Sequence, residues 1–173
     1  MVNFYNERAQ LLYDKSKANG VLEKVYEDLQ LFKQGVGGEM PFTQMMTREY
    51  VTNSSKGALL KDIIVYFHEE TKQFFQYFID EALYSYIYRT IKQFEDIYAK
   101  HHLTIVTAVP LSKEQVERIK RAMALKKEQE FDTCENQVDE RILGGVLVKS
   151  KEFIYDTTLA TQLKEFKKEF SEG

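Results

Sequence analysis

Few residues of this chain could do chemistry, and the most suggestive group is the stretch HEETK, from His68 to Lys72. A zinc-protease helix carries two histidines four positions apart, with a glutamate after the first as general base. Here Lys72 occupies the position of the second histidine ligand, which leaves the zinc set incomplete. The stretch is therefore predicted to be an ordinary solvated end of a helix, and no metal is expected there.

Three further candidates also lack their partners. The glycine-rich stretch GVGGEM, residues 35–40, lacks the third glycine of a dinucleotide fingerprint and follows a helical pattern instead of a strand. His101 and His102 are adjacent, so on a helix they would point about 100° apart and could not hold one ion together. Cys134 has no neighbouring histidine or cysteine to activate it, and we expect it to be a small buried hydrophobe. The sequence thus predicts no catalytic residues, no metal and no cofactor.

Composition narrows the class of protein further. The chain has 173 residues with 24 basic and 27 acidic side chains, a net charge of −3, so neither nucleic-acid binding nor a polybasic membrane anchor is indicated. The longest apolar run is the five residues of 63–67, whereas a membrane span needs about 20. The first ten residues do not resemble a signal or transit peptide, and one cysteine excludes an internal disulfide. We expect a soluble protein of a reducing compartment that meets a membrane only through a partner.

Residues 3 to about 101 carry mostly helical spacing. Gly20 and the glycines of 35–38 are predicted to end the first two helices, and Thr52 or Asn53 can cap a later one. The stretch from Tyr66 to Tyr98 holds 11 aromatic residues in 33, most of which we expect to form a core. One segment has apolar residues around too much of its circumference for a single buried face, which indicates a second face for a partner: Phe74, Phe75, Tyr77, Phe78 and Ile79.

After His102 the pattern changes to short strands and helices. Residues 103–109 alternate as a strand, and Pro110 ends it because proline cannot donate to a ladder. Ser112 and Gln115 have the spacing of a capping box, which predicts a helix over 113–127.

The rest of the chain predicts a small hairpin and one more helix. Strands are expected over 131–138 and 153–155, and Gly144 and Gly145 precede another apolar run that needs free backbone angles or a close approach. Asp156 is expected to cap a last helix whose apolar face carries Leu159, Leu163, Phe166 and Phe170. The predicted fold is mainly α, with a helical bundle over 1–102 and a small α+β domain over 103–173.

The ordered motifs of the second half are similar to those of the delta subunit family of bacterial F-type ATP synthase, the counterpart of the mitochondrial oligomycin-sensitivity-conferring protein. The residues that carry the resemblance fall in order at the family's spacing: Thr107, Ala108, Pro110, Leu111, Ser112, Gly144, Gly145, Val146, Asp156 and Leu163. The opening helix is similar too, with Ala9, Leu12 and Tyr13 in register. Arg8 differs, since a tyrosine is usual at its position.

The resemblance implies a six-helix N-terminal bundle, a small α/β C-terminal domain and a non-catalytic stator subunit. The bundle would receive N-terminal helices of alpha subunits in a groove between its first and fifth helices. On those helices the expected groove residues are Ala9, Leu12, Tyr13, Phe74, Tyr77 and Phe78. The C-terminal domain would bind the b subunits of the peripheral stalk, on the cytoplasmic face of the bacterial membrane. Two alternatives remain: an unrelated helical adaptor, and a small enzyme whose residues converge only on folding.

Overall fold

The computed structural model describes residues 2–171, and side chains within residues 4–168. The chain divides into two compact units, one reaching to Tyr98 and the other starting at Ala99. The helices up to Lys100 are α1 (Val2–Ala18), α2 (Leu22–Gly35), α3 (Glu39–Thr47), α4 (Asn53–Ile64), α5 (Glu69–Asp80), a short 3-10 helix (Tyr84–Tyr86) and α6 (Ile87–Lys100).

The first unit is built on a core of aromatic and aliphatic side chains contributed by every one of these helices. The ring of Phe32 is central, with its centroid 4.6 Å from that of Phe75 and 5.4 Å from that of Phe42. All three rings are essentially inaccessible to solvent. Because aromatic side chains bury large areas, this cluster accounts for much of the hydrophobic stabilisation of the unit. The predicted helical core is therefore present.

Local capping explains where one of these helices begins. The Thr52 hydroxyl accepts a hydrogen bond from the Ser55 amide at 3.2 Å, which satisfies one of the free donors in the first turn of α4. Thr52 was one of the two caps expected from the sequence, and it is the residue that caps α4.

The second unit contains a four-stranded sheet and two helices. Its elements are β1 (His102–Thr107), α7 (Lys113–Lys127), β2 (Thr133–Val138), β3 (Val146–Lys149), β4 (Ile154–Asp156) and α8 (Leu159–Ser171). The strand order is β2-β1-β3-β4, with β1 parallel to β2 and the remaining pairs antiparallel. The helix α7 is the crossover that a parallel pair requires. A small core lies between this helix and the sheet: Leu103, Ile105, Met123, Phe131 and Val148.

The corner after β1 is held from the neighbouring strand. The side-chain amide of Asn136 on β2 donates to the Ile105 carbonyl at 3.0 Å and to the Thr107 hydroxyl at 2.9 Å. Its carbonyl oxygen accepts from the Leu111 amide at 2.8 Å, directly after the exposed Pro110. The predicted capping box of α7 then follows, with both Ser112 and Gln115 bonds present. One asparagine side chain therefore fixes the end of the strand relative to the start of the helix.

Three local predictions for this unit need correction. The first strand ends at Thr107, two residues before the predicted end, so Val109 lies outside the strand and is exposed. The strand begins at His102, which was expected at a helix end; its ring nitrogen Nδ1 lies 2.7 Å from the Thr133 hydroxyl oxygen. The second strand starts at Thr133, because Phe131 turns into the core before the ladder begins.

Gly145 lies where two backbone segments of the second unit come close together. Its φ is +83°, and a Cβ placed there would lie 2.3 Å from the Thr157 carbonyl oxygen and 2.8 Å from the Thr158 Cα. Real carbon atoms do not approach so closely, so only glycine fits. Gly144 also has positive φ, at +147°, and a Cβ there would lie 3.0 Å from Leu159. The double glycine thus allows the segment before α8 to pack against the start of β3.

Asp156 organises the beginning of α8. One carboxylate oxygen accepts from the Thr158 amide at 2.8 Å, and the other accepts from the Thr161 hydroxyl at 2.8 Å. These bonds, the amide bond first, hold the pKa of Asp156 below its ordinary range. The side chain of Phe170, predicted on the apolar face of this helix, lies outside the described side chains.

Candidate functional site

A cavity in the first unit lies between α1 and α5. We call it the α1–α5 groove; its volume is about 170 Å³, and its lining residues are Arg8, Leu11, Leu12, Lys15, Glu70, Gln73, Phe74, Tyr77 and Phe78. On each helix these residues recur at three- and four-residue spacing, as 8-11-12-15 and 70-73-74-77-78. Such a recurrence is one face of a helix, so the groove is the space between two facing stripes.

The floor of the groove is apolar and rigid. Leu12, Phe74 and Phe78 are buried, and the rings of Phe74 and Phe78 are 5.0 Å apart in an edge-to-face arrangement. Tyr77 packs its ring 5.5 Å from that of Phe78 and is only half-buried. Leu11, at 58% exposure, forms an apolar shoulder beside this floor. A surface of this kind can bury the apolar stripe of a docking helix.

The rim of the groove is polar, and its contacts run across the two helices. The Lys15 ammonium donates to the Gln73 side-chain carbonyl, and the Asn19 side-chain amide donates to Glu70 at 2.9 Å. The bond from Asn19, with help from a backbone amide, lowers the pKa of Glu70 below its ordinary range. At the opposite end the Arg8 guanidinium lies over the Tyr77 ring, with its carbon 3.7 Å from the ring centroid. The pairing shows that α1 and α5 run antiparallel along the groove.

A buried carboxylate from α2 sets the position of α5. Asp28 accepts from the His68 amide at 2.7 Å and from the Thr71 hydroxyl at 2.8 Å, at the first turn of the helix. His68 is the residue before the helix and makes no capping bond with its own side chain. Asp28 therefore supplies from 40 residues away the acceptor that a helix start requires, and its negative charge suits that end of the helix dipole. The histidine of the HEETK stretch contributes a backbone donor to this arrangement.

The structure brings together four of the six groove residues expected from the sequence. Leu12, Phe74, Tyr77 and Phe78 line the groove, whereas Ala9 and Tyr13 do not. Both are buried in the core instead, where the Tyr13 ring packs 6.0 Å from that of Phe94. The sequence missed five lining residues: Arg8, Leu11, Lys15, Glu70 and Gln73. For the three on α1 the signal was the 8-11-12-15 spacing, which shares Leu12 with the core-facing stripe.

The second unit offers a different kind of surface. Apolar side chains on and around α8 are 46–75% exposed: Leu143, Ile154, Leu159, Leu163 and Phe166. The motif residues Pro110, Ser112, Gly144, Gly145 and Asp156 shape the backbone of this unit, as described above. Leu159, Leu163 and Phe166 also recur at four- and three-residue spacing, so they share one face of α8 that could contact another chain.

Within the described residues, no cluster of three or more histidine, cysteine, aspartate or glutamate side chains could hold a metal ion. Over the same part of the chain, no helix combines the length and apolarity that crossing a bilayer requires. The helical groove and the apolar surface define a protein whose two units are suited to binding other chains.

Comparison with known proteins identifies the family. The family model of the ATP synthase delta (OSCP) subunit matches residues 7–170. ATP synthase subunit delta of Lactobacillus acidophilus is 25% identical over 160 residues, covering 90% of this chain and 88% of the relative. The corresponding subunit of Clostridium kluyveri is 22% identical, covering 100% and 98%. The chain belongs to the ATP synthase delta (OSCP) subunit family.

A chain in the mitochondrial ATP synthase hexamer of Toxoplasma gondii is similar to this one with a TM-score of 0.49 and 14% identity, covering 96% of each chain. The assignment rests on the family model and the bacterial relatives. Subunits of this family are structural and non-catalytic, which confirms that the chain is not an enzyme and excludes the unrelated-adaptor alternative.

Proposed function

We propose that this subunit is a stator link in which the first unit binds the catalytic head and the second binds the peripheral stalk. The observation that carries the proposal is the α1–α5 groove, an apolar floor of Leu12, Phe74 and Phe78 with polar rims on both sides. An N-terminal amphipathic helix of an alpha subunit would lay its apolar stripe into this floor. The helices of the first unit would then act as the six-helix bundle of the family.

We assign binding of the b subunits to the second unit because apolar side chains of α8 are exposed to solvent. Leu159, Leu163 and Phe166 recur along one side of that helix and remain about half exposed. Covering them with a partner helix would remove apolar surface from water, at roughly 25 cal/mol per Å². Linked in this way to the stalk, the chain would be a peripheral component on the cytoplasmic face of the bacterial membrane, and proton-driven rotation would be coupled to ATP synthesis.

Substitutions at two leucines of similar exposure, made in the full-length protein, test which unit binds which partner. Leu11 in the groove and Leu163 on α8 are 58% and 55% exposed, so an aspartate at either position should leave the fold intact. Two probes are titrated by calorimetry: a peptide of the alpha-subunit N-terminus, and the soluble C-terminal segment of the b subunit, both from the same ATP synthase. Leu11→Asp should weaken alpha-peptide binding about 30-fold, because about 2 kcal/mol is lost when a charge enters an apolar interface.

The same variant should bind the b segment as tightly as wild type. Leu163→Asp should show the opposite pattern, with weaker b binding and unchanged alpha-peptide binding. Circular dichroism spectra and melting temperatures close to wild type would establish that both variants are folded. The proposal fails if either variant weakens both partners equally, or if the pattern is reversed.

A further inference from the structure

One side chain of the α1–α5 groove, that of Arg8, lies outside the apolar floor and has no oppositely charged partner among the described residues. The Arg8 guanidinium carbon lies 3.7 Å from the centroid of the Tyr77 ring and 5.9 Å from that of Phe4. Among the described residues, no ion pair involves Arg8. The side chain is only partly exposed. A cation is thus held against an aromatic surface at one end of the groove, without a carboxylate of the described residues to neutralise it.

The other charged groups of the groove are placed differently. Lys15 donates to the Gln73 side chain, and Glu70 accepts from Asn19 at 2.9 Å. Both lie toward the opposite end, since Arg8 meets Tyr77 whereas Asn19 meets Glu70. The groove is therefore polarised: the guanidinium at its Tyr77 end forms no ion pair with any side chain of residues 4–168.

Stacking prepares this guanidinium for a ligand. A guanidinium laid on an aromatic face keeps its edge N–H donors available, and its planar fork matches a carboxylate in two parallel hydrogen bonds. Because the Tyr77 ring already restricts the long side chain, less conformational entropy remains to be lost when a carboxylate binds. The site is also shielded on one side from water, which strengthens the electrostatic interaction.

Resting on the proposed function of the groove, we propose that Arg8 is a specificity-determining residue that pairs with a carboxylate of the docking helix. Along α1, Arg8 precedes Leu12 by one helical turn. The acidic residue should accordingly lie three or four positions from the apolar residue that contacts Leu12 and Phe78. The groove then selects amphipathic helices that carry an aspartate or glutamate at that point and discriminates against a neutral or basic residue there.

A double-mutant cycle on the full-length protein tests this pairing. The probe is the N-terminal peptide of the alpha subunit, together with versions in which each aspartate or glutamate is changed singly to its amide. Calorimetry gives Kd for wild type, Arg8→Gln, Arg8→Lys and the control Arg48→Gln. Arg48 is a matched control because it also lies over a ring, 5.7 Å from Tyr50, but it does not line the groove.

For one acidic position, the amide peptide should bind wild type about tenfold more weakly and Arg8→Gln less than twofold more weakly. Arg8→Lys should restore part of the discrimination, and Arg48→Gln should behave as wild type. The difference between wild type and Arg8→Gln should shrink as sodium chloride rises from about 0.05 to 0.5 M, because salt screens partly exposed charges. A loss of affinity that is equal for every peptide and independent of salt would assign Arg8 a packing role and overturn the inference.

Failure of the proposed function has a separate signature. If the alpha peptide does not bind the wild-type protein at all, the proposed function is wrong. Two model amphipathic helices then replace the alpha peptide as probes. They differ only in carrying glutamate or glutamine at the position expected to face Arg8. Tighter binding of the glutamate helix by wild type, but not by Arg8→Gln, would support Arg8 as a selector of acidic helices. Equal binding or no binding of both helices would overturn it.

Discussion

The two units of this subunit differ in the size of their buried cores and in the apolar surface that they leave exposed. The first buries a continuous aromatic core, with Phe32, Phe42 and Phe75 essentially inaccessible, and leaves one apolar groove open. The second buries a much smaller core between α7 and its sheet and leaves the apolar side chains around α8 exposed. A core of many large rings tolerates an open groove, whereas the smaller unit depends more on individual backbone contacts and caps.

This difference has a consequence for how each unit responds to mutation. In the first unit, one buried polar group, Asp28, links two helices and positions the groove. In the second unit, Gly145 permits a backbone contact that no other residue allows, and Asp156 arranges the start of α8. Substitutions at Asp28, Gly145 and Asp156 test this difference between the units. Each should lower the stability of the unit in which the residue lies.

The largest effect is expected at Gly145. Gly145→Val would place a Cβ 2.3 Å from the Thr157 carbonyl oxygen, at a residue whose φ is positive. The backbone would have to move to relieve both the clash and the unfavourable φ. The second unit should lose about 3 kcal/mol or more of stability, or fail to fold, while the first unit keeps its transition. Differential scanning calorimetry of the full chain measures both transitions.

A matched pair of alanine variants separates strain from crowding. Gly20 has φ +70° with no atom within 4 Å of the added Cβ, so Gly20→Ala carries only the left-handed backbone penalty, about 1 kcal/mol. Gly145→Ala should be clearly worse. A Gly145→Val protein that melts like wild type but no longer binds the stalk would instead make Gly145 a contact residue.

A moderate effect is expected at Asp28. Asp28→Ala removes the acceptor of the His68 amide and the Thr71 hydroxyl, leaving two donors at a helix start without their partner. The first unit should lose about 2 kcal/mol in urea unfolding followed by circular dichroism. Because α5 forms one wall of the groove, affinity for the alpha-subunit peptide should fall as well.

Two further variants identify the cause of that loss of stability. Asp28→Asn keeps an oxygen acceptor and should lose less stability than alanine. Asp14→Ala removes an exposed aspartate that accepts a side-chain hydrogen bond from Gln10 on its own helix, and should change stability by less than about 0.5 kcal/mol. If Asp28→Ala is no more harmful than Asp14→Ala, the carboxylate has no capping role.

Features with local causes could be predicted from the sequence. The cap at Thr52, the capping box of Ser112 and Gln115 and the bounds of α7 depend on residues a few positions apart, and each is present as expected. The double glycine was expected to need positive φ or a close approach, and both occur. Spacing within about one helical turn is enough information for features of this kind.

Features that depend on contacts between distant segments could not be predicted. The apolar positions of α1 fit two overlapping stripes, and only packing decides that Ala9 and Tyr13 face the core while Leu11 lines the groove. Asp28 serves a helix that begins 40 residues later, and Arg8 meets a ring on another helix. The predicted strand over 103–109 begins one residue earlier in the structure, because His102 pairs with Thr133 in a segment 31 residues away.

The smallest expected effect is at Asp156 and depends on pH. Its pKa is lowered in the folded state by the bonds from Thr158 and Thr161, so its stabilising contribution is present above the unfolded-state pKa of about 4. That contribution is lost as pH falls through the lower folded-state value. Asp156→Asn should therefore be less stable than wild type at pH 7, by about 0.5 kcal/mol because the carboxylate is solvent-exposed and screened. The difference should shrink as pH falls below about 4. Thr161→Val removes one of the two donors and should show a smaller version of the same dependence in urea unfolding at several pH values. A difference between wild type and Asp156→Asn that stays constant from pH 7 to pH 3 would mean that the charge of Asp156 does not stabilise the start of α8.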